Sequence, residues 1–183
     1  MKIYSVVMLL LVASYSYSEE VIVDKISWLD NAGEHEIIII EKFSGQYFEP
    51  NWKSSIVVRK NSIWKGENSM SWQINDFSTS PSETVNYLPK TLKIFDQDGD
   101  GVMESSFLYL IGTDGLDNNK LKQMVHKNNV KLAIRGDIPK RLADIDEYKI
   151  RIDKVYSSQT KDLIIKSLEI WNVNISNILN ALD

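Results

Sequence analysis

Asp96, Asp98, Asp100 and Glu104 crowd four carboxylates into nine residues, with Gly99 and Gly101 between them. Like charges packed this closely repel, and a hard cation among them relieves the repulsion. Calcium takes about six to eight oxygen ligands, and alternate acidic residues on a curled loop supply such oxygens. The glycines permit the positive φ that the curl demands. The pattern therefore predicts a Ca2+ site. Its ligands are the side chains of Asp96, Asp98 and Asp100, the backbone carbonyl of Val102, and Glu104. Magnesium favours few carboxylates and keeps its waters. Zinc favours His and Cys, which the loop lacks. The plain alternative is a solvated acidic turn, since Asp and Gly are ordinary turn residues. A second acidic segment, Thr113 to Asn119, reads as a polar connection between strands, or as a source of further ligands from Asp114 or Asp117.

The flanking elements decide what kind of loop this is. An EF-hand requires Glu at its twelfth position, and Phe107 stands there. Leu92 to Phe95 and Phe107 to Ile111 are short, apolar and aromatic, the pattern of strands. The loop is thus placed between two β-strands, and it resembles the calcium-binding hairpins of integrin-type propeller repeats. One copy is present, so no propeller period exists.

Further strands are predicted at Val21 to Leu29, Glu36 to Phe43, Ser55 to Lys60 and Ser71 to Ile74. The run Ile37 to Ile40 reads as a strand covered on both faces. Leu121 to His126 and Val130 to Ile134 form a predicted hairpin turning at Asn128-Asn129, with a helix over Lys120 to Lys127 as the competing reading. Arg141 to Glu147 suits a helical turn and Tyr148 to Val155 a strand. The C-terminus predicts a helix capped by Thr160, with Asp162 in its first turn. Its apolar stripe comprises Ile164, Leu168, Trp171, Ile175, Ile178 and Leu182, and covers either the protein's own sheet or a partner. The expected fold class is α+β: mainly antiparallel β, as one sheet or a two-sheet sandwich, with the helix packed on it.

The N-terminus has the pattern of a cleaved signal peptide: Lys2, the apolar run Val6 to Ala13, then Ser16 and Ser18 as small residues before Glu19. Residues 19–183 are then read as a single β-rich domain in the periplasm or outside the cell. Without Cys, no disulfide supports the fold, and a core, a metal or both must. Removing a leader that carries Lys2 and no acidic residue takes the formal charge from −4 to about −5. That balance disfavours nucleic acid and anionic membrane surfaces as partners.

Catalytic signals are weak. His35 and His126 are the two histidines, and neither belongs to a recognisable nucleophile motif. Neither a P-loop nor a dinucleotide fingerprint is present. Five tryptophans, at 28, 52, 64, 72 and 171, suit core packing, with sugar stacking as the alternative.

Three segments carry a wider resemblance: Trp72-Gln73-Ile74-Asn75-Asp76-Phe77, Asp96 to Tyr109, and Lys120 to Gly136, which ends Ala133-Ile134-Arg135-Gly136. Together with Leu168-Glu169-Ile170-Trp171 they resemble exported bacterial proteins named for surface polysaccharide biosynthesis. The resemblance implies an envelope location and a link to surface polysaccharide, and it carries no catalytic residues. The chain departs from that family at Ile111-Gly112-Thr113-Asp114, where Cys-Arg-Ser-Asp is common. The leading expectation is a non-catalytic, calcium-stabilised envelope protein with a polysaccharide or envelope-protein partner. The alternatives are an envelope glycan enzyme with unidentified carboxylate catalysts, and a periplasmic inhibitor or immunity-type protein.

Overall fold

The computed structural model describes residues 18–181, apart from Leu116 and Asn129. The predicted leader lies outside the described residues except for Ser18, as do Leu182 of the helix stripe and half of the Asn128-Asn129 turn.

Strands β1 (Ser18–Asp30), β2 (Gly33–Ser44), β3 (Lys53–Trp64) and β4 (Glu67–Phe77) form a four-stranded antiparallel meander in chain order. The second sheet contains β5 (Glu83–Tyr87), β6 (Lys93–Phe95), β7 (Glu104–Thr113), β8 (Asn119–Lys127), β9 (Val130–Ile138) and β10 (Lys149–Ile152). Its order is β10-β9-β8-β7-β5, and β6 also pairs with β7, at Glu104 to Ser106. The sequence predicts no strand at β5, which is too short for a clear periodic signal. Beyond β9, residues Leu142–Glu147 and Lys154–Ser158 are 3-10 turns, so the strand expected over Tyr148 to Val155 shortens to β10.

Local turn chemistry sets the meander. Trp64 pairs with Glu67, leaving Lys65 and Gly66 as a two-residue loop, both at positive φ. That geometry matches the right-handed twist of a hairpin.

Side chains alternate across a strand, and β7 uses both faces. Phe107, Tyr109 and Ile111 join Ile37, Ile39, Ile56, Val58 and Val85 between the two sheets. Leu108 joins Leu121, Leu132 and Ile134 on the opposite face, under helix α1 (Lys161–Asn180). The second sheet is the middle of three layers, which is why β7 runs apolar from Phe107 to Ile111. The Ile37 to Ile40 run, expected to be covered on both faces, lies instead in β2 of the outer sheet, with Ile37 and Ile39 in the core and Ile38 half-buried. Carboxylates of the first sheet tie to tyrosines of the second. Tyr87 OH donates to Asp24 at 2.5 Å and Tyr109 OH to Asp76 at 2.8 Å.

Helix α1 begins as expected, with Thr160 Oγ1 accepting from the Leu163 amide. Its buried seam comprises Leu163, Ser167, Trp171 and Ile175, flanked by Ile164, Leu168 and Ile178. The seam is centred one position from the predicted stripe, and Leu163 and Ser167 are additions to it. It covers the chain's own sheet. A Cβ on Gly136 would lie 2.7 Å from the Trp171 indole, so the glycine in β9 makes the seat for that ring. Among the described residues no helix is long and apolar enough to cross a membrane.

Candidate metal centre

Strands β6 and β7 pair from Lys93↔Ser106 to Phe95↔Glu104, so Asp96 to Met103 connect a β-hairpin. Positive φ at Gly99 and Gly101 turns the chain. Asp96 anchors the curl: its two carboxylate oxygens accept from the amides of Gly99 at 2.8 Å and Gly101 at 3.0 Å. Asp100 accepts from the Val102 amide at 2.7 Å, and Glu104 Oε2 accepts from the Gln97 amide at 2.9 Å.

Asp96, Asp98 and Glu104 each bring a carboxylate oxygen within 4.8 Å of the others. Two calcium–oxygen bonds span up to about 5 Å across the ion, so the spacing suits one. Glu104 is 1% exposed, and its Oε1 is buried without a hydrogen-bond partner. A buried anionic oxygen in that position favours a cation beside it. Lys127, from β8, supplies a tethered one: its ammonium pairs with Asp98 and lies 3.7 Å from Glu104 Oε1. The hydrogen bond to Lys127 holds Asp98 below the usual carboxylate range and raises Lys127 in return. Burial pushes Glu104 up, with the charges of Asp98 and Asp100 adding to it.

The other predicted ligands sit differently. Asp100 directs an oxygen to the loop's own backbone and stands outside the three-carboxylate cluster. Val102 contributes the amide that Asp100 binds. Asp114 and Asp117 follow the far end of β7, ten residues long, and so lie about 30 Å from Glu104. That segment is a connection between β7 and β8.

Asp30 is the residue that sequence reasoning missed. It stands in the predicted β1–β2 turn, yet its carboxylate accepts from the Met103 amide at 3.0 Å. It also accepts from Trp28 Nε1 at 2.9 Å and the Ala32 amide at 2.8 Å, and it meets His35 Nε2 at 3.2 Å. Burial alone would raise Asp30, but these donors, Met103 first, hold it low. Asn31 completes the grip: its amide donates to Gly101 O at 2.8 Å and its side chain to Asp100 O at 3.3 Å. The first sheet thus holds the acidic loop of the second. Local sequence carries no signal for a contact across some seventy residues.

Neither histidine faces the acidic cluster. His35 is held between Asp30 and Ser62, whose hydroxyl lies 3.2 Å from Nδ1 and 2.7 Å from Ser71 Oγ. The chain has the composition of a hydrolytic triad. However, its histidine is only 4% exposed, and the Ser62 hydroxyl is also bonded to Ser71. It serves to satisfy buried groups. Trp171 is core, while Trp64 stands 74% exposed at a hairpin tip.

Family models, curated proteins and solved structures give no match to this chain. What fold and site define is a two-sheet antiparallel protein with a C-terminal helix, carrying in its second sheet an acidic hairpin loop held by the β1–β2 turn of the first.

Proposed function

We propose that this chain is an exported, calcium-stabilised, non-catalytic protein of the cell envelope. The observation that carries the calcium reading is the buried Glu104 Oε1, which accepts no hydrogen bond, within a three-carboxylate cluster. Asp96, Asp98 and Glu104 would hold the ion, and loop carbonyls and water would complete an oxygen shell. The ion would fix the β6–β7 hairpin, and through Asp30 and Asn31 the β1–β2 turn, in a chain that has no disulfide. The leader pattern supports export. The resemblance of Trp72 to Phe77, Asp96 to Tyr109 and Lys120 to Gly136 supports a partner in surface polysaccharide or its assembly machinery. Both histidines are buried, and His35 is closed off within the Asp30–His35–Ser62 chain, which favours binding over chemistry.

Thermal unfolding with calcium and with EDTA tests this reading. Calcium at a hundred times its Kd, bound only to the folded state, adds about 2.7 kcal/mol. The melting temperature should rise with calcium in the native chain and stay put in Glu104→Gln and Asp98→Ala. An equal rise in all three, or none in the native chain, refutes the calcium site.

A further inference from the structure

A second site lies where edge strand β4 meets the β8–β9 hairpin. A cleft of about 580 Å3 opens there, with Ser71, Trp72, Asn75, His126 and Lys131 among its lining residues. The volume falls in the range of small-molecule sites. Two ring nitrogens in its wall, Trp72 Nε1 and His126 Nδ1, are buried with no hydrogen-bond partner. His126 is 7% exposed. Buried polar atoms are nearly always paired, and both orphans are sealed from solvent in the cleft wall, so a ligand's polar atom pairs with them once the rings shift toward the cleft. The rings are stacked: the imidazole lies 4.0 Å from the Trp72 ring, 15° from parallel, with Phe107 at 6.2 Å on a nearly parallel plane.

The chemistry of the wall selects the ligand. An indole N–H only donates. Neutral imidazole donates from Nδ1 in one of its tautomers. Lys131 is exposed and forms no ion pair among the described residues, and the charges of Lys131 and Lys60 both act on the His126 ring. The lining includes no carboxylate among the described residues. A cleft rich in donors, flanked by free positive charge and lacking acids, suits an acceptor-only anion.

We propose that this cleft binds a carboxylate-bearing small molecule, its oxygens accepting from the Trp72 indole N–H and pairing with the Lys131 ammonium over the stacked His126 ring. The site uses none of the acidic loop residues from Asp96 to Glu104 and stands whether or not that loop takes calcium.

The test follows the tryptophan indole N–H resonances of 15N-labelled full-length protein, with the Trp72 signal assigned by its loss in Trp72→Phe. Sodium glucuronate, N-acetylalanine and glucose are titrated at constant ionic strength. The expected result is a saturable shift of the Trp72 signal with at least one acid, none with glucose, and about tenfold weaker binding in Lys131→Gln. Response to glucuronate alone assigns a sugar acid as the source of the carboxylate. Response to N-acetylalanine alone assigns a peptide terminus, and response to both shows that the carboxylate suffices. The proposal is overturned if neither acid moves the signal, if glucose binds as well as the acids, or if Lys131→Gln binds like the native chain. Lys131 is an exposed side chain, so its variant keeps the fold and a failure there reads as chemistry.

Discussion

A metal ion and Lys127 compete for one role at Glu104. The ammonium of Lys127 sits beside the carboxylates that a metal ion would bridge, and both cations relieve the same repulsion. Lys127→Met should therefore lower the melting temperature of the metal-free protein and tighten calcium binding, read by calorimetric titration. Equal affinity in both proteins would show that lysine and metal occupy different places. The two loop glycines separate a conformational cost from a steric one. Both hold positive φ, which an L side chain adopts at a cost of about 1–2 kcal/mol. A Cβ on Gly99 meets open space, whereas one on Gly101 would lie 1.9 Å from Asn31 Nδ2. Gly101→Ala should destabilise by at least 1 kcal/mol more than Gly99→Ala in chemical denaturation, because it also breaks the Asn31 grip. Equal costs would mean that Asn31 swings away freely.

At the scale of elements, helix α1 is held by one large side chain. Trp171 is 0% exposed, and its indole donates to Tyr148 OH at 2.9 Å. Four asparagines weaken the helix's own propensity, so packing must hold its second half. Trp171→Ala should cost about 3–5 kcal/mol, measured by urea unfolding, with loss of helical circular dichroism before the sheets melt. Gly136→Ala acts on the same contact from the strand side, since its Cβ would overlap the indole. A fully cooperative transition in Trp171→Ala would instead show that helix and sheets unfold as one.

Across the whole molecule, the buried ring of His126 makes stability depend on pH. Burial, helped by the charges of Lys131 and Lys60, depresses its pKa from 6.5 to about 3. Between those values the unfolded chain binds a proton that the folded chain refuses. Stability then falls as pH drops below 6.5, by about 1.4 kcal/mol per unit, and this loss levels off near the folded pKa. Asp76, Asp98 and Glu83, held low by their donors, lose stability only in the more acidic range. Glu41 and Glu104, raised by burial, work in the opposite direction. His126→Phe keeps an aromatic ring beside Trp72 and removes the titration. Denaturation midpoints between pH 7 and 4 should be flatter for the variant. Parallel curves for the two proteins would show that His126 takes a proton in the folded state.

The sequence by itself determined the local events. The Gly-punctuated acidic loop, its strand flanks, the β8–β9 hairpin at Asn128 and the Thr160 cap all depend on residues within a few positions of one another, where turn geometry, alternation and capping act. The antiparallel class follows from the same signals added along the chain. Tertiary structure decided what distance in sequence conceals. It brought Asp30 and Asn31 onto the acidic loop and set Lys127 beside Asp98. It also stacked Trp72 on His126 and rotated the helix seam to Leu163 and Ser167, because the seat at Gly136 fixes where Trp171 lands. Such contacts join residues tens of positions apart through packing and the pairing of buried polar groups, and neither leaves a periodic trace in the chain.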